Sequence, residues 1–348
     1  MSPERITSVS RCVHSLIAAL GLTAAWTVPA LAQATTCTGK NLMTELKAAE
    51  PQLYAEIRKA ADATPNAKSV LWKIENPERP DAAPSYLFGT IHLTDDRALE
   101  LPESVKTAFA ESVRAGLEIE DVSTSRVSEA LQTMSSRGAV LLPAKGRLDA
   151  LLTPVEFKET SKVLARSGLD ATVHGRVRPW VALVMLGTPE CERSRVMGGK
   201  VTLDESIAMQ AEQRGMGTFG LEQLEAQFQS MAAISDADQL ALLKAQLAYA
   251  GRLNDVVETT LQLYLDRDLG AIWPLQIALA KKAGVDPRVF DSYEENLLSV
   301  RNTRMFGRLS THLDRGGLFV AVGALHLPGR LGIVEQARNA GYTVTAVD

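Results

Sequence analysis

Between Gly317 and Gly323 the chain runs Leu318-Phe319-Val320-Ala321-Val322 without one polar residue. So short and so apolar a run has no face to give to water. It reads as a strand covered on both sides, as in a parallel or mixed sheet with helices above and below. His326 stands three residues past Gly323, just before Pro328. A helical pattern over about 329–339, with Gly341 as its C-cap, and a final strand over 342–347 complete the chain. His326 is therefore expected at a strand-to-helix turn, where open α/β sheets hold ligands.

The same arrangement occurs once more. Tyr86-Leu87-Phe88-Gly89-Thr90-Ile91-His92 is again an apolar strand, a glycine, two residues and a histidine. Two distant copies of strand-Gly-x-x-His point to a sheet with two related halves, and the chain between them serves to bring His92 and His326 together. The fold class expected is α/β, a mixed central sheet flanked by helices. Alternation over 70–75 predicts a strand that pairs with the first Gly-x-x-His strand as an antiparallel hairpin. Further strands are expected over 115–121 and 217–221. One helix is expected over 41–63 and another from Pro102. Helical insertions fill 122–216 and 223–315, with Thr153-Pro154 opening a helix that Gly168 closes. No linker divides 33–348, so a single domain is expected.

Residues 1–32 read as a signal peptide. Arg5 and Arg11 form a basic start, 13–28 is largely apolar, and Ala30-Leu31-Ala32 supplies a small-x-small cleavage site. An uncleaved anchor is the alternative, opposed by His14, Ser15 and that site. An exported chain, periplasmic or secreted, follows, with no stable transmembrane segment after cleavage. Its removal shifts the formal charge from −4 to −5, and no basic cluster remains to attract nucleic acid. Cys37 and Cys191 are then an even pair in an oxidising compartment, which makes a disulfide the natural expectation; two free thiols are the other option.

Four expected strands end in a ligand-type side chain: His92, Glu118 or Glu120, Glu222, and His326. Neighbouring strands lie about 4.8 Å apart, so side chains at one end of parallel strands converge. Two imidazoles and a carboxylate suit a divalent metal such as manganese, cobalt, zinc or iron. Gly89 and Gly323 permit positive φ or close backbone approach at the strand exits. Glu118 and Glu120, two apart, would share a face, one on the metal and the other orienting a histidine. Each residue also has a plainer role available. The two glutamates suit a solvated strand face, Glu222 a helix N-terminus and Arg301 a helix surface. His174 and His312 read as surface histidines. No His-Glu-x-x-His, Gly-x-Ser-x-Gly, Walker loop or dinucleotide fingerprint is present.

These segments resemble the TraB/GumN family, which includes the Tiki-type metalloproteases; the erythromycin-esterase and ChaN-like haem-binding proteins are similar at greater distance. The matching pieces begin with Ser85-Tyr86-Leu87-Phe88-Gly89-Thr90-Ile91-His92, Gly116-Leu117-Glu118-Ile119-Glu120, Arg178-Pro179-Trp180 and Leu203-Asp204. They continue with Gly220-Leu221-Glu222-Gln223, Arg301-Asn302, the stretch from Ala321 through His326 to Gly329, and Gly341-Tyr342-Thr343-Val344. The resemblance implies a metal-dependent hydrolytic centre with His92, His326 and Glu118 at its core and Glu222 beside them. Asp204, Arg178 and Asn302 occupy matching positions, with Arg178 where the family usually carries lysine. Arg301 is expected to stabilise an oxyanion or bind a substrate carboxylate. The function expected is exported, metal-dependent hydrolysis, with a peptide or protein as substrate. The alternatives are a non-catalytic haem- or metal-binding envelope protein and an adaptor for export or signalling whose site has decayed.

Overall fold

The computed structural model describes residues 37–348; the expected signal peptide lies outside the described residues. Six strands form one sheet: β1 (Leu71–Glu75), β2 (Ser85–Thr90), β3 (Arg114–Ile119), β4 (Gly217–Glu222), β5 (Leu318–Gly323) and β6 (Thr343–Ala346). Their order across the sheet is β4-β3-β5-β2-β1-β6. The pairs β4–β3, β3–β5 and β5–β2 are parallel, whereas β1 runs antiparallel to both β2 and β6. The sheet is mixed, as the apolar runs led us to expect, and β1–β2 is the anticipated hairpin, with Leu71 opposite Phe88.

The two Gly-x-x-His strands lie side by side. Register pairs Phe88 with Ala321 and Thr90 with Gly323, so β2 and β5 end level with each other. Leu87, Phe88, Phe319 and Val320 are shut off from solvent. Phe319 meets Phe109 edge-on at 5.0 Å between ring centroids, a favoured aromatic geometry. Helices Glu103–Glu111, Leu203–Gln213 and Val300–Leu313 bury Phe109, Ile207 and Leu309 in the same core. A second core is made mostly by helices, among them Thr124–Ser136, Pro154–Arg166, Pro179–Leu186 and Asp236–Ala248, with Val140, Leu142 and Val177 from the segments between them.

Three local readings change. The helix expected over 41–63 is two, Leu42–Ala49 and Pro51–Ala63. Pro51 has no N–H for the preceding turn and starts a helix well, so the break falls at Glu50. His174 is buried rather than exposed; its Nε2 bonds the Leu169 carbonyl at 3.0 Å inside a turn of 3-10 helix. Gly89 and Gly323 do not have positive φ. Cys37 and Cys191 form a disulfide with Cα atoms 5.3 Å apart, tying the start of the described chain to helix Glu190–Met197. Among the described residues no helix is long and apolar enough to cross a membrane.

Candidate functional site

Because β4, β3, β5 and β2 are parallel neighbours, their carboxyl ends form one edge. Glu222 closes β4, Glu118 stands one residue from the end of β3, and His326 and His92 follow β5 and β2. Helix Val300–Leu313 adds Arg301, which is buried and charged, from above this edge. Its Nη2 donates to Glu118 Oε1 at 2.6 Å and its Nε to Glu222 Oε2 at 2.8 Å. Its Nη1 lies 3.3 Å from His326 Nε2. One guanidinium therefore bridges two carboxylates and an imidazole.

Both histidines are oriented through Nδ1. His92 Nδ1 lies 2.8 Å from Asp204 Oδ2, and Asp204 also accepts from Thr90 Oγ1. His326 Nδ1 lies 2.6 Å from Asn302 Oδ1, and the Asn302 amide nitrogen donates to the Leu331 carbonyl at 3.0 Å. That second bond orients the Asn302 amide, so His326 Nδ1 must be the donor. In both rings the proton on Nδ1 is held by an oxygen, which turns Nε2 toward the other residues of the cluster. This is the arrangement in which imidazoles ligate metals. A Cβ added to Gly323 would lie 3.4 Å from Glu118 Oε2, 3.6 Å from His92 Nε2 and 3.5 Å from His326 Cδ2. The three side chains converge on the space beside a residue that has no side chain.

Gly89 has a different reason to be glycine. A Cβ there would fall 2.6 Å from Leu327 Cδ1 and 2.9 Å from the Ala324 Cα, so its absence lets the turn after β5 pack onto β2. Tyr264 supports the same place, donating from its hydroxyl to the Gly89 carbonyl at 2.8 Å.

The electrostatics separate the titratable groups. Burial alone would push Glu118 up, but His326, Arg301, His92 and the Gly323 N–H, 2.8 Å from Oε2, together hold it down at about 2. Burial pushes Glu222 above the ordinary carboxylate range, and Arg301 offsets this only in part. Glu222 Oε1 is buried with no hydrogen-bond partner among the described residues. Burial lowers His326 to about 4, so that ring is neutral at pH 7. The Asp204 carboxylate raises His92 to about 9, so that ring carries a proton on both nitrogens at pH 7 and a metal would have to displace the one on Nε2. Solvent nevertheless reaches 64% of the His92 side chain, because it faces an open cleft.

Chemically, two Nε2 atoms and an ionised carboxylate oxygen are a donor set of the right type for a divalent transition metal, which would take the place of a proton on His92 Nε2 and of the Arg301 Nη1 hydrogen bond on His326 Nε2. The spacing is wider than a bound ion would require. His326 Nε2 and Glu118 Oε2 are 3.9 Å apart, against about 3.4 Å for tetrahedral legs of about 2.1 Å. Among the described residues no group of three His, Cys, Asp or Glu is already spaced to hold an ion. For the His326–Glu118 pair alone, a side-chain movement of about half an ångström closes that gap.

Two candidates lie elsewhere. Glu120 is exposed beyond the end of β3 and accepts from Thr218 Oγ1 at 3.0 Å. It does not share the site face with Glu118, because β3 ends between them. Arg178 pairs with both oxygens of Asp236, at 2.6 and 2.9 Å, and with the Gly138 carbonyl, at the start of helix Pro179–Leu186. Sequence reasoning missed Thr90, whose hydroxyl steadies Asp204, and Gln227, whose amide reaches Glu118 Oε1 at 3.2 Å. Neither carried a signal, since a lone threonine in a strand and a helical glutamine are ordinary.

A profile of the TraB/PrgY/gumN family matches residues 70–346. The metalloprotease TIKI2 of Danio rerio is 30% identical over 319 residues, which cover 79% of this chain and 60% of that relative. The chain thus spans less than two thirds of the curated relative's length. No solved structure matches the chain.

Proposed function

This chain belongs to the TraB/PrgY/gumN family, and on that premise we propose that it is an exported, metal-dependent hydrolase acting on peptide bonds. The observation that carries the reading is the convergence of His92, His326 and Glu118 beside Gly323, with each ring's Nδ1 already engaged. The similarity to a relative named a metalloprotease supports it. The Ala-x-Ala leader and the Cys37–Cys191 disulfide support export.

His92 Nε2, His326 Nε2 and Glu118 Oε2 would hold the metal. When bound, a divalent metal supplies Lewis acidity toward a carbonyl and a nucleophile at neutral pH. The chain's own residues do the rest. Asp204 and Asn302 fix the two rings. Arg301 balances the charges of Glu118 and Glu222, and the Nη1 hydrogen now directed at His326 Nε2 would be released to the same space when that nitrogen held the metal, where a donor stabilises negative charge developing on a carbonyl oxygen. Glu222, with a raised pKa and an unbonded Oε1, is suited to carry the proton from nucleophile to leaving amine.

The test is metal content of the mature protein, loaded with manganese, cobalt or zinc, beside His92→Ala/His326→Ala, followed by a peptide-library digest read by mass spectrometry. The expected result is stoichiometric metal and cleavage, both lost in the double variant while the cooperative fold persists. Wild type that holds no metal after loading, or cleavage that survives in the variant, would overturn the reading.

A further inference from the structure

A cleft of about 480 Å³ opens from His92 and runs between the helices that follow the sheet edge, a size at which clefts take specific ligands. Helices Pro179–Leu186, Asp236–Ala248, Leu253–Leu265 and Ile272–Lys282 wall it, with Leu183, Val184, Leu242, Val256 and Leu279 among the apolar groups. Polar atoms are few and come from neutral side chains such as Gln246, Tyr249 and Thr260; among the described residues His92 is the only titratable nitrogen on its wall and no Asp, Glu, Lys or Arg lines it. Val184 is 48% exposed although it is apolar, and it stands on this wall.

A charged side chain entering such a cleft would lose its hydration with no counter-charge to receive it, whereas apolar groups gain by burial. Of the proposed centre His92 alone, among the described residues, stands on the wall of the cleft, so a ligand that fills the cleft meets the centre there. We infer that this cleft is the specificity site of the enzyme, taking an uncharged, apolar segment of the substrate peptide adjacent to the bond to be cleaved. The inference rests on the hydrolase reading for the word substrate, and on the cleft itself for the chemistry of the ligand. The amides of Gln246 and Gln276 and the hydroxyl of Tyr249 can then serve the peptide backbone, which every sequence carries, with Thr260 Oγ1 as an acceptor because its proton goes to the Val256 carbonyl.

Two measurements separate this inference from the hydrolase reading. In the first, metal-stripped mature protein is titrated calorimetrically with acetyl-Leu-Phe-Val-amide and, separately, acetyl-Glu-Asp-Glu-amide. The apolar peptide should bind at least about tenfold tighter, and Val184→Glu and Gln246→Glu should each remove about tenfold of that affinity by placing a carboxylate in the cleft. Equal binding of the two peptides, binding of neither, or variants that leave affinity unchanged would overturn the inference. In the second, the cleavage sites of the library digest should be flanked by apolar residues. Cleavage without that preference sinks the cleft's role and leaves the hydrolase intact. Selective binding with no cleavage upholds the cleft's ligand chemistry and sinks the hydrolase.

Discussion

Replacing Gly323 by alanine should leave the fold intact and disable the site. The backbone at Gly323, with φ −52° and ψ 134°, is one any L-residue adopts. No heavy atom outside its chain neighbours comes nearer than 3.4 Å to the added Cβ. The change also removes the conformational freedom of glycine from the unfolded chain, which stabilises by about 0.4–1 kcal/mol. For a chain of this size that is a rise in Tm of roughly 1–4 °C. The same methyl excludes other heavy atoms to about 3.5 Å. Glu118 Oε2, His92 Nε2 and the His326 ring edge stand at 3.4, 3.6 and 3.5 Å, on that boundary, so the space they enclose is filled up to its walls. Displacing a bound group there by about 1 Å costs on the order of 100-fold in rate. The assay pairs thermal unfolding with metal content and peptide turnover. Gly89→Ala is the contrast: its Cβ would collide with Leu327 and the Ala324 backbone at 2.6 and 2.9 Å, an overpacking cost of about 1–3 kcal/mol. A Gly323→Ala protein that keeps wild-type metal and turnover, or that unfolds as easily as Gly89→Ala, would refute the reasoning.

Other perturbations read other parts of the molecule. Arg301→Met leaves Glu118 and Glu222 buried without their cation and should cost about 3–5 kcal/mol in urea unfolding; adding Glu222→Gln should recover part of the loss, a non-additivity expected within one network. Burial would push Asp268 up, but Arg58 and Lys68 outweigh it and hold its pKa below the ordinary value. The stability this gives is present above the unfolded-state pKa of about 3.9 and disappears as pH falls through the lower folded value; Asp268→Asn should remove about 1 kcal/mol at pH 7 and flatten the acid limb below pH 4, as followed by urea titrations from pH 3 to 7. The Cys37–Cys191 bond closes a separation of 154 residues, for which chain entropy gives up to about 5 kcal/mol. Cys37→Ser/Cys191→Ser should therefore lower Tm, and added reductant should then have no further effect.

Much of the site can be read without coordinates because its signals are local. An apolar run that stops at glycine, with histidine three residues on, announces a covered strand and a residue at its exit. Two such runs, around Phe88 and Phe319, already imply one sheet edge. The Glu118 and Glu222 strands are legible from short apolar segments of their own, around Leu117 and around Phe219 and Leu221. The disulfide is expected from Cys37 and Cys191, the even pair that remains when residues 1–32 are read as a signal peptide.

What the tertiary structure decided depends on contacts between residues far apart in the chain. Period-two alternation puts Glu118 and Glu120 on one face, but β3 ends at Ile119, so Glu118 meets Arg301 while Glu120 turns to Thr218. Arg301 looks like any helix-surface charge until the helix Val300–Leu313 is laid over the sheet edge, where burial and two carboxylates define its role. His174 reads as polar and exposed, yet a nearby carbonyl satisfies its ring and lets it be buried. The two motif glycines look equivalent in sequence and are not. At Gly89 a packed turn forbids a side chain, and at Gly323 two histidines and a glutamate leave no room for one that would not fill their shared space. Local pattern records which backbone a segment prefers; which side chains share a space is set by the order β4-β3-β5-β2, and that order is a property of the whole chain.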